Sequence, residues 1–545
     1  MVATIPALLF AAAGEAMLLT ILIPQYLPAN PFFRCLIRTT LFNFFCFSVY
    51  KVLIWPFLLT PLRHLPNPGG EQILLGNGRA MFQKPPGTDF LRWLSAVPND
   101  GLIYFRGFLH QDRLLVTSPK VLGELLVTKS YDFEKPKPVR DFLRRVLGDG
   151  LIIVEGDVHK FQRKHIMPVF QFRHIKELYP MMLRKAQQMT DLIRNQVSED
   201  IAIAEKQGGV AEMEINHWAN KVTMDIIGVA GLGRDFNALR NSDDELIQNY
   251  EEMLEPSKEK SVFFLTQTLG PKRLAMMLPW DVPKRFRVIT GNLDRITKDL
   301  VRAKKDAVKK GGEEHLDILS VLIKSNNFSD QELCDQMLTF LAAGHETTSS
   351  AFTWCTYLLS THPEIQTRLR DEIRENLPAE IGPEVELASI LESMPVLNAV
   401  CNETLRLYPT VPMTVRQAIR PTTLNNQFIP AQTQIILSPW AINRSPELWG
   451  SNADKFVPDR WINEDGKPNN SGGAPSNYAI LTFLHGPRSC IGANFAKAEL
   501  RCIVAMFVKN FLMELANPDA EVVPAGVITT KPRDGMHLRL TPIKS

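Results

Sequence analysis

Two apolar runs open the chain: residues 2–23, interrupted by Glu15, and the aromatic-rich residues 41–59, broken by Lys51 and Pro56. Each approaches the roughly 20 residues that a bilayer asks of a helix. A carboxylate at a helix centre costs roughly 2.5–3.5 kcal/mol on insertion scales, which weakens the first run without removing it. No basic stretch precedes that run and no small-residue cleavage site follows it, so it reads as an uncleaved anchor. Arg34 and Arg38 lie between the runs and would face away from the soluble body if both crossed, against the positive-inside tendency. The pattern favours one span, with the second run lying in or on the interface; a hairpin of two spans is the alternative. Residues 61–70, PLRHLPNPGG, cannot continue a helix and read as a hinge. The chain thus divides into an anchor over 1–60, a hinge over 61–70 and a body over 71–545.

Within the body the period changes repeatedly. Alternation over 101–106 and 114–117 predicts the first strands. Residues 155–163 begin an amphipathic helix that puts His159 and Arg163, four apart, on one face. Helical patterns continue from 181 to 303, mixed with the irregular stretches 256–260 and 278–283. A long helix is expected over 329–359, entered through the capping-box pattern Ser329-x-x-Glu332. A further helix carries Glu403 and Arg406 on one face, residues 411–416 read as a strand, 526–535 as a hairpin, and 493–511 as a final helix. The fold class expected is mainly α with small β-sheets.

Composition narrows the classes. With 45% hydrophobic and 22% charged residues the body is globular, and a net charge of +3 at pH 7 leaves no footprint for nucleic acid. The seven cysteines are scattered, odd in number and lack CxxC spacing, which argues against a disulfide framework or a zinc site.

The chemistry converges on residues 483–492, FLHGPRSCIG. Cys490 sits in a loop just before a helix N-terminus, where the dipole favours a thiolate, the form that binds metals. Gly486 and Gly492 permit backbone conformations closed to other residues, and Pro487 stiffens the turn. Arg488 can hold a carboxylate by paired hydrogen bonds. A thiolate beside a carboxylate-seeking arginine suggests haem, whose edge carries propionates. In the long helix, Ala343 and Gly344 would let a flat group approach the backbone, at a cost of about 1 kcal/mol for the glycine. Thr347 and Thr348 can bond back to carbonyls one turn earlier and bend the helix. Glu346 and Thr347 offer a carboxylate and a hydroxyl in sequence, a route for proton delivery.

Phe483, Gly486, Arg488, Cys490 and Gly492 match a spacing that resembles the haem-binding loop of the cytochrome P-450 superfamily, with Leu484 where the family has glycine. Ala343, Gly344, Glu346, Thr347 and Thr348 resemble its oxygen-activating segment. The resemblance spans roughly residues 60–542 and implies the family fold behind a membrane anchor. It implies haem b with an axial thiolate from Cys490, propionate partners at His159 (usually Trp), Arg163, Arg416 and Arg488, and cofactor contacts at Phe483 and Gly344. Glu403 and Arg406, joined by Arg460, correspond to its structural pair and later arginine, with Asp459 in place of the usual Glu. Val411, Met413, Thr414 and the C-terminal hairpin would face substrate, under a variable roof in the middle region.

The function implied is a monooxygenase that inserts one oxygen atom of O2 into a lipophilic small molecule, in fungal secondary metabolism. Electrons would come from a separate NADPH–cytochrome P-450 reductase, with cytochrome b5 as an accessory partner. The anchor implies the endoplasmic reticulum membrane with the catalytic domain facing the cytosol. The alternatives are a reductase-independent haem-thiolate isomerase or dehydratase, against which Glu346 and Thr347 count, and a non-catalytic haem sensor.

Overall fold

The computed structural model describes residues 4–22, 31–207, 212–240, 244–254, 259, 281–310, 317–378, 385–526 and 528–543. Of the irregular stretches in the middle region, 256–258, 260 and 278–280 lie outside the described residues, as does residue 527 of the C-terminal hairpin.

The apolar runs fold as two packed helices, α1 (Thr4–Leu22) and α2 (Pro31–Val49). Asn43 donates to the Glu15 carboxylate at 2.9 Å, and the Thr39 hydroxyl to the Ala12 carbonyl at 3.0 Å. The charge that interrupts the first run therefore has a polar partner on the second. Among the described residues, the helix long and apolar enough to cross a membrane is Phe32–Leu59, which contains the second run, and Pro6–Leu22 of the first run is a shorter apolar helix. α2 runs on through a π-helical stretch, Tyr50–Leu59, that accommodates Pro56.

The presumptive hinge is packed on the body. Asp112 accepts hydrogen bonds from Trp55 Nε1 at 2.9 Å, Thr60 Oγ1 at 3.1 Å and Tyr104 OH at 2.7 Å. Leu62 and Leu65 are buried, and the Pro66 carbonyl accepts from the Tyr104 amide at 2.8 Å. Segment 61–70 thus adds to the sheet below it instead of swinging free.

That sheet has five strands. β1 (Leu102–Arg106) and β2 (Asp112–Val116) form a hairpin, and β3 (Phe133–Glu134) closes the far edge. Met213–Glu214 (β4) belongs to another sheet; β5 (Thr414–Ala418) pairs antiparallel with β3, with Glu134 opposite Gln417. After the small hairpin of β6 (Thr422–Leu424) and β7 (Gln427–Ile429), β8 (Gln434–Leu437) lies between β2 and β5. Near the C-terminus, β9 (Phe511–Leu515), the short pair β10 (Pro524–Ala525) and β11 (Lys531–Pro532), and β12 (His537–Pro542) complete the strands, with β12 between β4 and β9.

Helices make up the rest of the body. Those that frame the site are α3 (Gly156–Ile166), α4 (Tyr179–Gln207), α5 (Ile215–Ile227), α6 (Asp330–Ser360), α7 (Pro363–Asn376), α8 (Pro395–Leu407) and α9 (Ala493–Asn510). Ser329 and Glu332 form the expected capping box at the start of α6. From there α6 runs through the larger hydrophobic core, packed on α5 along one side and on α9 and α8 elsewhere. A second core lies under the five-stranded sheet. The site described below lies where α6, α9, α3, the edge strand β3 and its neighbour β5 approach one another.

Candidate functional site

The cysteine loop is held by its own backbone. The Cys490 amide donates to the Phe483 carbonyl at 2.8 Å, closing the loop before α9 begins. Gly486 has φ +72°, and a Cβ there would stand 2.1 Å from the Leu126 carbonyl oxygen, so glycine is required for both conformation and space. Leu484, where the family pattern has glycine, adopts φ +53°, the same left-handed region at a cost an L-residue bears. Phe483 packs on the larger core, with the Lys497 ammonium 5.9 Å from its ring centroid.

Cys490 lies deep in the protein yet keeps exposed surface, so it borders an internal space. Burial pushes its thiol above the ordinary value, while the Gly492 N–H and the Arg163 guanidinium pull the other way. The Gly492 N–H, at the start of α9, acts in the direction expected of a helix N-terminus. Arg163 reaches the cysteine loop: its Nη1 donates to the Ser489 carbonyl and its Nη2 to Ser489 Oγ at 3.1 Å.

On α6, the residues on either side of the centre are buried, but Ala342, Ala343, Gly344, Glu346 and Thr347 keep partial exposure. Such a patch in the middle of a core helix faces internal space. Thr347 Oγ1 donates to the Ala343 carbonyl at 2.7 Å, the expected back-bond. Thr348 instead turns into the α6–α9 contact, where the nearest acid is the fully buried Glu499, whose carboxyl burial drives strongly towards the neutral form. A Cβ at Gly344 would meet Ile227 of α5 at 2.7 Å, so on that side of the glycine the close approach is made by a protein side chain.

Glu346 has a partner that no local pattern announces: Lys531 Nζ of β11, 3.0 Å from its Oε1. The strand is held in place one residue earlier. The Thr530 carbonyl accepts from Ser350 Oγ and, at 3.1 Å, from Trp354 Nε1, both on α6, and the Thr530 amide donates to the Thr410 carbonyl at 2.8 Å. Phe170 links the two halves of the site, packing edge-on against Phe340 of α6 at 5.7 Å and lying 3.7 Å from the Cβ position at Gly492.

A dense basic cluster lies beside the loop. His159 is buried, and its Nδ1 is 3.2 Å from the Tyr131 hydroxyl. Burial first, then Arg488, Lys135, Arg163 and Arg416, push its imidazole down to about 3, so it is neutral and can offer one N–H. Arg488 stacks over the Tyr131 ring at 5.0 Å and forms an ion pair with Glu155 through Nη1, while its Nε and Nη2 are buried and make no hydrogen bond. Arg416 Nη1 donates to Thr414 Oγ1 and the Val415 carbonyl, both at 3.0 Å, and burial with Arg488 pushes its guanidinium down to about 10. Buried guanidinium donors without acceptors, gathered beside a cysteine that borders internal space, fit a group with carboxylates on one edge and a thiolate-seeking metal at its centre.

The scaffold residues form a closed network. Glu403, fully buried on α8, accepts from Arg406 Nε and Nη2 at 2.8 Å each, Arg460 Nε at 3.0 Å, Trp461 Nε1 at 2.9 Å and the Val457 amide at 3.0 Å. Arg406 Nη1 donates onward to the Asn443 and Ala453 carbonyls at 2.7 and 2.6 Å. Asp459 lies outside this network and pairs with Arg368 of α7 at 2.6 Å. Sequence reasoning found the three charged members and missed Trp461, although it directly follows Arg460.

Val411, Met413 and Thr414 are half-exposed at the start of β5. Residues 80–538 match the cytochrome P450 family. Similar whole chains are fungal. The cytochrome P450 monooxygenase sphH of Aspergillus fumigatus is 42% identical, with 91% of each chain covered. The cytochrome P450 monooxygenase ptmK of Penicillium ochrochloron is 40% identical over 90% of this chain and 96% of its own. The cytochrome P450 monooxygenase FUM15 of Gibberella moniliformis is 36% identical over 94% and 93% respectively.

Proposed function

The chain belongs to the cytochrome P450 family and is a haem monooxygenase, and from that premise we propose that Cys490 would hold the iron while Glu346 and Thr347 manage protons from α6. The observation that carries the assignment is Cys490 itself: a loop cysteine with exposed surface, with the Gly492 N–H on its sulfur and the charge of Arg163 nearby. Bound there, the haem supplies dioxygen activation, and one oxygen atom passes to substrate while the other leaves as water.

The chain's own residues do the rest. Arg163 and the Gly492 N–H stabilise negative charge on Cys490 Sγ, which otherwise loses by desolvation. Arg488 and Arg416, with the neutral imidazole of His159, hold the carboxylates of the haem edge and so fix its rotation in the pocket. Thr347 Oγ1, resting on the Ala343 carbonyl, can turn to donate into the internal space. Glu346, held by Lys531, can pass a proton to that hydroxyl from its own carboxyl oxygen. Phe483, behind the cysteine, excludes water from the sulfur side.

The substrate proposed is a lipophilic small molecule of secondary metabolism, a reading supported by the fungal relatives and by Val411 and Met413 on the wall of β5. Family members draw electrons from redox partners; the partner proposed here is an NADPH–cytochrome P-450 reductase, with cytochrome b5 as an accessory. Residues 1–60 are proposed as the anchor in the endoplasmic reticulum membrane, with the body in the cytosol, which the length and apolar character of Phe32–Leu59 support.

The test is the absorption spectrum of the reduced, carbon-monoxide-bound protein. A thiolate-type band that disappears in Cys490→Ala is expected; an imidazole-type band in the wild type would overturn the ligand assignment. Metabolite profiling of a deletion strain, with the accumulated precursor fed to microsomes containing the protein and reductase, identifies the substrate.

A further inference from the structure

The two helices of the anchor lie level with each other. α1 (Thr4–Leu22) and α2 (Pro31–Val49) have 19 residues each. At about 1.5 Å per residue each is about 28 Å long, close to the ~30 Å of a bilayer's hydrocarbon. The Thr39 hydroxyl bonds to the Ala12 carbonyl at 3.0 Å, and both residues sit beside the midpoints of their helices. Ala12 and Ala16 are fully buried and Cys35 nearly so, small side chains that let the backbones approach. Residues 23–30 join the two helices. A parallel pair would need a connection returning along the whole ~28 Å, the limit for eight extended residues, whereas connections of this length ordinarily join antiparallel neighbours.

The outward faces are apolar and bare. Phe10, Leu18 and Ile21 of α1 and Phe33, Phe42 and Phe45 of α2 are each more than half exposed. Several polar groups find partners within the pair. Asn43 donates to the Glu15 carboxylate at 2.9 Å, and Thr20 and Ser48 bond back to the Ala16 and Phe44 carbonyls at 2.6 and 2.7 Å. Hydrocarbon demands such internal partners. At the body's end stand Tyr50, Lys51 and Trp55, residue types suited to a membrane interface, with Trp55 bonded to Asp112. Arg34 and Arg38 lie within about two turns of the other end of α2. If α2 crosses, they reach the far surface whether or not α1 crosses with it, so the positive-inside tendency does not separate the two arrangements.

We infer that α1 and α2 cross the bilayer together as an antiparallel hairpin, which puts the Thr4 end of α1 on the same side of the membrane as the catalytic body. This rests on the reading of residues 1–60 as a membrane anchor. Pro6–Leu22 is the shorter apolar helix, near the lower limit for a span by itself. What carries it across is α2, because a helix packed level along a spanning partner shares its depth. The Glu15–Asn43 pair lies near the middle of that depth, where a lone carboxylate opposes insertion and a bonded one selects its partner.

The experiment uses the full-length chain in sealed microsomal vesicles. One version carries an epitope tag ahead of α1, and a second carries a glycosylation-acceptor loop inserted between Leu22 and Pro31. The tag is expected to be digested by external protease as readily as the body, and the acceptor loop to be glycosylated in most chains. A protected tag overturns the hairpin: with a glycosylated loop it leaves α2 as the single span, and with an unmodified loop it leaves α1. A digested tag with an unmodified loop overturns it as well, because both helices then stay on the near side, resting on the membrane or covered by a second copy of the chain. Alkaline carbonate extraction separates these failures from that of the underlying reading. Protein that stays with the membrane keeps its anchor whatever the topology; protein released to the supernatant has none, and the inference falls with it.

Discussion

Lys531 Nζ stands 3.0 Å from Glu346 Oε1, joining β11 to the one carboxylate that the centre of α6 offers to the internal space. The hydrogen bonds from Ser350 and Trp354 to the Thr530 carbonyl keep the lysine there. In the role proposed for Glu346, proton delivery is tied to the position of a C-terminal hairpin.

Glu346→Gln is expected to lower product formation by about 10²-fold, the usual scale of a positioned acid or base. Lys531→Met, which frees the carboxylate without removing it, should cost several-fold and divert reducing equivalents to hydrogen peroxide. The ratio of product to peroxide per NADPH consumed is the measurement. An unchanged ratio in both variants would remove Glu346 from the proton path.

Gly344→Ala should destabilise the fold by ~1–3 kcal/mol, because the new methyl meets Ile227 at 2.7 Å and a packed helix pair cannot give freely. Ile227→Ala in the same chain should recover part of that loss. Urea midpoints of the four members of the cycle give the coupling, and an additive result would show that the glycine answers to something other than α5.

At Gly486 both conformation and space forbid a side chain. Gly486→Ala is expected to cost ~3 kcal/mol or more, combining the left-handed backbone penalty with a collision against the Leu126 carbonyl. Haem content and thermal midpoint should fall together, since the same loop carries Cys490.

Trp461→Phe removes one of the five donors to Glu403 while keeping most of the buried ring. A hydrogen bond to a buried charge is worth about 1.5–3 kcal/mol, and that is the expected loss. Stability by denaturant titration should fall, with the spectrum of the remaining folded protein unaltered.

His159 carries a pH signature. Its folded imidazole is held down at about 3 against an ordinary value of 6.5, by burial first and by the surrounding cations after it. The unfolded chain therefore binds this proton before the folded one does. The contribution of this group is fully present above pH 6.5 and is lost as the pH falls from there towards 3. In haem-free protein, His159→Gln should flatten the fall in stability across that window, read from denaturation midpoints at successive pH values. An unchanged slope would show that the histidine does not report on the cluster.

What the sequence disclosed was local, and what it hid was distant. The cysteine loop, the Ser329–Glu332 box and the Glu403–Arg406 spacing are written within a few residues of one another, where backbone geometry and helical period decide the outcome. Gly344 was legible as a place of close approach, but its partner Ile227 comes from another helix, and nothing in the α6 pattern points to it. The helical face shared by His159 and Arg163 was legible, but the acceptors of Arg163 at Ser489 come from a loop far along the chain. Lys531 carries no signature, since its partner Glu346 lies on α6, distant in the chain. In the anchor, the continuation of α2 past Pro56 depended on a π-helical turn, which composition does not announce.

Asp112 changes what kind of attachment the anchor is. A carboxylate that receives Trp55 and Thr60 from the end of the apolar helix, and Tyr104 from the sheet, is a rigid bracket. Under the proposal that this helix anchors the chain, the bracket would fix the angle between the helix and the sheet, so removing the Asp112 carboxylate is expected to free that angle while both elements stay folded.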